Sequence, residues 1–444
     1  MKMKSLITTA ALVFLASGNS YAQTVIRIVA SNGDRTATQT AIANLLDSGW
    51  TFQGIDGNAT QANLSVATGA NFGAWNGVYS GNPVIIKVSY SGALAGIAAV
   101  AGNTDQRFVF TNGTGTGSVP NPLTQPSNQL GITFEVNKAD FGFSTNFQAT
   151  SPFNGTYQGV TYSPVIQEVV GVSPLGFYAS PGFPDSGANI TTQLAQLLYT
   201  TGSVPLALFT GDFANDSDKI VWAIGRNTDA GQRFGAYSEI GLGTSTAVKV
   251  WQPTFSTPQT TTSGITYGGV VGSHALWPAE TINGISSPLG SGGYNSGANL
   301  AAVLTTTLGP NAYKGQFFDE ETNQNQFLYP NATAGYYVGY VTPGDANNRI
   351  LGNNGVIPPA NRGIALSYNG VPLTNDNVRN GKYTAWLYNR ILKPQSGLTG
   401  LKLTFANALR NNIRTVTAGP AGGIFDDTNF KVRRTADGGL VVPK

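Results

Sequence analysis

The sequence predicts an α/β fold with mostly parallel sheets, on three observations. Short runs rich in β-branched residues recur, helical apolar spacing follows several of them directly, and small polar residues fill the junctions. Residues 24–30 form the first β-rich run, followed by Ser31-Asn32-Gly33-Asp34 and then Ala37, Ala41, Ile42, Leu45 and Leu46 at helical spacing. Residues 83–89 read as a buried strand, and Ser89-Tyr90-Ser91-Gly92 leads into a closely packing small-residue helix over 93–100. A third strand is expected at 141–144 and a fourth at 165–172, ending at Ser173-Pro174. Asn189 is placed to cap a helix that carries Ile190, Leu194, Leu197 and Leu198 on one face. In open α/β sheets, ligands sit at the C-terminal ends of strands, which is where these junctions lie.

The junction at 219–241, KIVWAIGRNTDAGQRFGAYSEIG, carries the strongest chemical signal. An apolar strand run enters Gly-Arg and a short polar turn, then a segment suited to start a helix. Such a junction aims unpaired backbone N–H groups and the positive end of a helix dipole at one spot, and Arg226 adds a fixed charge beside it. That is anion-site chemistry, although most glycine-bearing turns of this kind serve only as turns.

Lys2 and Lys4 precede an apolar run over 6–16, and Ser20-Tyr21-Ala22 offers small residues for cleavage before Gln23. The reading is a secretory signal peptide over residues 1–22, and a periplasmic or secreted protein. A membrane anchor needs about 20 apolar residues, and Gly18, Asn19 and Ser20 end the run too early. The chain has no Cys, which removes a lipoprotein anchor, disulfide staples, thiolate catalysis and Cys-ligated zinc. Taking Lys2 and Lys4 from 25 Lys and Arg, against 22 Asp and Glu, leaves a charge of about +1. That balance points to neither nucleic acid nor a membrane surface as partner, and no later stretch approaches a transmembrane helix. Only 11% of residues are charged, a composition shared by exported bacterial proteins, outer-membrane barrels and surface fibres.

Residues 103–128 and 259–293 are rich in Gly, Thr, Asn and Pro and lack apolar periodicity, so they read as long surface insertions. No fixed period marks a solenoid or propeller. Catalysis finds little support. His274 is the single His, expected to be satisfied or solvent-facing, and one His cannot build a multi-His metal centre. Asp426 with Asp427, Glu320 with Glu321, and Asp212 with Asp216 and Asp218 are short acidic runs of the kind usually solvated. HExxH, GxSxG and Walker motifs are absent, so no enzyme activity, cofactor or metal is expected. Trp222, Trp251, Trp277, Tyr336, Tyr337 and Tyr340 read as core or hinge aromatics, the tyrosines lying near any ligand cleft.

The order of these pieces resembles the phosphate-type substrate-binding proteins of bacterial ABC transporters. VIIKVSYSGALAGI (84–97), KADFGFST (138–145), EVVGVSPLGFYAS (168–180), GRNTDAGQR (225–233), AGYYVGYVTPGDA (334–346) and NGVPLTNDNVRNGKYTAW (369–386) carry the likeness by their order and rough spacing. The resemblance implies a two-lobed type 2 periplasmic-binding-protein fold, with two mostly parallel sheets flanked by helices and a cleft between lobes. It divides the mature chain into lobe I over 23–173, lobe II over 174–342, and a C-terminal part of lobe I over 343–444. Residues 168–180 would cross into lobe II, and 334–346 would return.

In such a cleft, backbone amides at helix N-termini replace the water around an oxyanion. The resemblance places ligand donors at Ser31, Asn32 and Gly33, at Ser89, Ser91 and Gly92, at Ser144 and Thr145, and at Arg226, Ala230, Gly231 and Gln232. A guanidinium holds two oxygens at once, which makes Arg226 the principal candidate. Two departures bear on the ligand. Ala230-Gly231-Gln232 stands where the family has Ser-Gly-Thr, and Thr145 falls where the family has an Asp that accepts the proton of hydrogen phosphate. Asp34 is an alternative acceptor, or a helix cap. The implied function is capture of a small oxyanion, phosphate first, for hand-over to an ABC permease, without stable membrane insertion. A structural or adhesive surface protein that reuses the fold is the alternative. An outer-membrane barrel is disfavoured by the helical segments.

Overall fold

The computed structural model describes residues 23–55, 57–61, 63–110, 134–282, 285–419 and 425–444. The signal-peptide expectation for 1–22 and the larger part of the insertion at 103–128 lie outside them. Leaving aside small hairpins and 3₁₀ turns, the chain opens with β1 (Thr24–Val29), α1 (Arg35–Leu45), β2 (Thr51–Gly54), β3 (Gly57–Thr60), β4 (Phe72–Tyr79), β5 (Asn82–Ser89), α2 (Ala93–Ala101), β6 (Phe141–Ser144) and β7 (Val165–Pro174). It continues through β8 (Gly176–Ala179), β9 (Asn189–Ile190), α3 (Thr192–Thr201), β10 (Ser203–Pro205), β11 (Lys219–Ala223) and α4 (Gly231–Glu239). Next come β12 (Trp251–Thr257), β13 (Val270–Leu276), α5 (Gly297–Val303), β14 (Ala334–Val341), α6 (Pro343–Arg349) and β15 (Ile364–Tyr368), before β16 (Trp386–Pro394) and α7 (Gly400–Asn412).

These strands form two principal sheets, one per lobe. Lobe I holds eight strands in the order β7-β16-β6-β1-β5-β4-β2-β3, and lobe II holds six in the order β9-β15-β8-β14-β11-β10. The two-lobed α/β architecture therefore matches expectation, but the sheets are mixed rather than mostly parallel. Parallel pairs sit at the centre, β1 with β5 and β6 in lobe I, and β11 with β14 in lobe II. The hairpin β4-β5 and the strands that leave and re-enter each lobe add antiparallel neighbours. β5 is buried on both faces from Val84 to Ser89, and in β1 Ile26, Ile28 and Val29 are buried while Val25 and Arg27 are half-buried, as central parallel strands favour. Helix α2 is buried along its whole length. A Cβ on Gly96 would drive into the carbonyl oxygen of Phe143 in β6, so glycine is what lets the helix lie this close to the sheet.

The chain crosses between lobes twice. Residues 174–176 carry β7 of lobe I into β8 of lobe II, and residues 369–385 carry β15 back to β16. The crossings lie side by side: Pro174 pairs with Trp386, Leu175 N–H donates to Ala385 O (2.9 Å), and the Tyr383 hydroxyl donates to Leu175 O (2.6 Å). The return thus falls later than the boundary expected at 342/343. Residues 334–346 are not that crossing: β14 and then β15 flank β8 in the lobe II sheet, with Phe177 opposite Tyr340 on one side and Leu366 on the other.

Two further expectations are corrected. Thr191 rather than Asn189 caps α3, its side chain accepting from Leu194 N–H, because Asn189 is engaged in a strand pair with Ser367 and accepts from Gly370 N–H. The segment 259–293 is built largely of hairpin strands, and β13 pairs with β12 to cover lobe II. His274 on β13 is consequently buried, 3% exposed, between Trp222 and Trp251, with Nδ1 3.1 Å from the Tyr337 hydroxyl. Burial lowers its pKa to about 3, so the ring is neutral.

After α7 the chain passes behind the crossings and touches both lobes. Arg434 pairs with Glu239 of α4 (2.9 Å), donates to Thr384 O, and stacks on Trp386. Asp437 accepts from Phe147 N–H (2.9 Å) and from the Thr150 hydroxyl in lobe I.

Candidate functional site

A cavity of about 130 Å³ lies between the lobes, in front of the crossings. Lobe I contributes the turn after β1 (Ser31, Asn32, Gly33, Arg35), Asn71, the turn into α2 (Ser91, Gly92, Ala93) and Thr145 after β6. Lobe II contributes the loop from β11 to α4 (Arg226, Asn227, Asp229 to Gln232), the start of α5 (Asn295 to Ala298), and Thr342 with Asp345. Its volume is below the roughly 300–1,000 Å³ of pockets for drug-sized molecules, which suits a small solute.

Ten of the twelve expected residues line this space: Ser31, Asn32, Gly33, Ser91, Gly92, Thr145, Arg226, Ala230, Gly231 and Gln232. Ser89 and Ser144 do not. They sit at the ends of β5 and β6, one turn behind the wall, where Ser89 shares a hydrogen bond with Ser91 (2.7 Å) and Ser144 accepts from Asn146 N–H (3.1 Å). Both hydroxyls shape the loops that reach the cavity. Asp34 is also behind the wall. It is fully buried, makes no side-chain cap bond to α1, and neither carboxylate oxygen has a well-formed hydrogen bond.

Arg226 is turned mainly into its own lobe. Nε donates to Tyr294 O (2.9 Å), one terminal nitrogen to Asn295 O (3.1 Å), and the other to the Gln232 side chain (2.6 Å). Burial lowers its pKa, opposed by the nearby Asp345, Tyr340 and Asp229, and a guanidinium stays charged regardless. Three of its five N–H groups are spent on protein acceptors, so its first role is to hold the α5 approach against the loop.

The charged group that reaches across is Asp229. Its Oδ1 accepts from Ala95 N–H in the first turn of α2 (3.1 Å), and a Cβ on Gly92 would overlap its carboxylate. A carboxylate at a helix N-terminus is electrostatically favoured. Beside it the Asn146 side-chain amide donates to Gly231 O (3.3 Å), a second polar contact between lobes. Asp345 repeats the arrangement within lobe II, lying over Gly297 at the start of α5 and accepting from the Thr342 hydroxyl (3.2 Å). Sequence reasoning missed Arg35, Asp229 and Asp345. Asp229 lies inside the very loop singled out for Arg226, and Thr342-Pro343-Gly344-Asp345 has the form of a helix start with an acid in its first turn.

Neither a protein-family model nor a curated protein sequence matches this chain. Among solved structures, the chain is similar to an ABC-type phosphate transport receptor from Vibrio cholerae, at 11% identity and a TM-score of 0.40, over 87% of this chain and 93% of that one. It is similar also to PstS from Borrelia burgdorferi, at 11% identity and a TM-score of 0.35, over 87% and 92%. In this chain one principal sheet per lobe, the paired crossings and the cavity between the lobes make a two-lobed α/β architecture. Among the described residues no helix is long and apolar enough to cross a membrane, and no group of three or more His, Asp or Glu is placed to hold a metal ion.

Proposed function

We propose that the protein is a secreted solute-binding protein that takes a small oxyanion-bearing solute between its lobes, with inorganic phosphate as the first candidate and an ABC permease as recipient. The single observation that carries this is the cavity of about 130 Å³ lined by junction loops of both lobes, with Arg35 and Arg226 among its walls. The turn at Ser31, Asn32 and Gly33 offers backbone donors from lobe I, and two adjacent crossings allow the lobes to part and close around a solute. In this reading lobe I comprises residues 23–174 together with the chain from 386 onward, and lobe II lies between them. Binding rather than turnover is the role, since His274 is neutral and buried away from the cavity. Titration calorimetry of the mature protein with phosphate, sulfate and small carboxylates tests this; absence of heat with all of them rejects it.

One observation favours the alternative of a surface assembly protein. Phe317, Phe318 and Leu328 stand exposed beside an apolar hollow of about 670 Å³ on lobe II, remote from the cleft residues. Sizing chromatography with electron microscopy separates the readings, because discrete monomers reject assembly.

A further inference from the structure

Beside the cavity the lobes meet along a second surface, and it is apolar. Phe234 of α4 and Ile285, from the hairpin that pairs Glu280–Ile282 with Ile285–Ser287, both belong to lobe II. They are 5% and 8% exposed. Both are buried in one cluster with Leu94 and Ile97 of α2, Phe153, Val165 of β7 and Leu392 of β16, all of them lobe I residues.

Helix α4 is shaped for this contact. Gly231, Phe234 and Gly235 recur at i, i+3 and i+4, which places them on one face of the helix. A Cβ on Gly231 would run into the side chains of Thr145, Asn146 and Ala93 in lobe I, and one on Gly235 into the Leu387 side chain of β16. The two glycines therefore let the backbone of α4 lie directly against its neighbours, and Phe234 on the same face enters the apolar cluster. At the end nearest the cavity the Asn146 amide donates to Gly231 O (3.3 Å).

Apolar burial is non-directional and needs no solute: parting the lobes returns Phe234 and Ile285 to water whether the cavity is filled or empty. A solute shifts the balance between parted and closed lobes only by its own differential affinity, added to what this seam already supplies. We propose that the seam latches the lobes, so that the solute-free protein in solution is already closed and a solute enters by transient parting of the lobes instead of triggering their closure. The inference concerns how the lobes meet and holds for any solute the cavity takes. It gives the hairpin carrying Ile285 a task, which is to hold the closed form.

The chain has no Cys, so Thr36→Cys on α1 and Asn348→Cys on α6, both exposed and outside the seam, give one spin-label pair across the lobes. Double electron–electron resonance then reads the inter-lobe distance in the mature protein, with and without inorganic phosphate, for the native seam and for Ile285→Asp and Gly231→Ala. The expected result for the native seam is a short distance that phosphate leaves unchanged, with a longer one in no more than about a tenth of the molecules. Each variant should raise the longer-distance fraction at least about fivefold. Ile285→Asp does so by placing a charge in the apolar cluster, and Gly231→Ala by adding a Cβ against Thr145 and Ala93. Circular dichroism checks that each variant is folded, and Ile285→Ala, with the same expected direction, replaces Ile285→Asp if that one is not. A native-seam distance that shortens on addition of phosphate overturns the latch, because the lobes were then parted at rest. One and the same distance in the native seam and in the folded variants overturns the assignment of the seam. Because the variants are compared without solute, a protein that takes no phosphate is tested equally well.

Discussion

Asp34 is a residue at which a conservative change should stabilise this protein. The carboxyl is fully buried between the first cavity loop and α1, and burial raises its pKa from 3.8 to about 7, offset only in part by its own backbone N–H and the Asn389 amide. Buried polar atoms of Thr38 and Tyr90 nearby lack hydrogen-bond partners. The folded state therefore holds the Asp34 proton more tightly than the unfolded chain does. Its favourable contribution is fully present below pH 3.8 and is lost as pH rises through about 7. A shift of about 3 units at about 1.4 kcal/mol each corresponds to about 4 kcal/mol at most. Asp34→Asn mimics the protonated form, so it should match the wild type near pH 4 and exceed it at pH 8 by up to about 4 kcal/mol. Urea unfolding of both proteins at pH 4, 6 and 8 measures the difference. A difference that stays constant with pH would refute the argument, since it would mean that Asp34 ionises in the folded state as readily as in the unfolded one.

His274 works in the opposite direction. Its folded pKa is about 3 against 6.5, so acid favours the unfolded chain, and up to about 5 kcal/mol is lost as pH falls from about 6.5 toward 3; a fluorescence-monitored acid titration that shows no loss before the carboxylates titrate would count against this. Arg434→Ala removes one partner of a buried pair, leaving Glu239 with 8% side-chain exposure beside the crossings, and should cost about 3–5 kcal/mol in urea unfolding. The double variant Arg434→Met with Glu239→Gln should recover most of that loss. Gly96→Ala gains about 1 kcal/mol of helix propensity but overpacks α2 against the Phe143 carbonyl at about 1–3 kcal/mol, so a net loss is expected, and a raised Tm would contradict the packing argument.

The parts of the fold that were legible are those whose signal is local. Strands β1, β5 and β6 announce themselves by dense β-branched or aromatic runs, and α1 and α2 by spacing or by an unbroken run of small apolar residues. The return crossing was not legible, because its position depends on which sheet β15 joins. That is decided by pairing of Ile364, Ala365 and Leu366 with Phe177 to Ala179, far away in sequence. Val341-Thr342-Pro343-Gly344 looks like an exit from a lobe, yet it only starts a helix over the same sheet. The misreading of 259–293 has a different cause. Thr260 to Thr262 pairs with Ile265 to Tyr267 through Ser263-Gly264, both at positive φ, which is the backbone of a two-residue hairpin turn. Threonine-rich strands around Ser-Gly carry that signal, but their low hydrophobicity hid it.

The loop from β11 to α4 brings two charged residues, Arg226 and Asp229, to the cavity. Its spacing identified a junction that faces the cleft, and the structure places it there. What spacing does not contain is which of two charges in the loop is satisfied internally. Arg226 finds carbonyl acceptors at Tyr294 and Asn295, contributed by a segment that folds over it from much later in the chain, and Gln232 closes the set. Asp229 reaches the first turn of α2, where its carboxylate accepts from Ala95 N–H. Because Ala95 and Asp229 belong to different lobes, that bond can form only when the lobes approach. It contributes about 0.3–1 kcal/mol to approach as a charge at a helix N-terminus, before any solute is considered. With the Asn146 amide donating to Gly231 O beside it, the approach of the lobes is held by two polar contacts at one edge of the cavity, both made by the loop from β11 to α4.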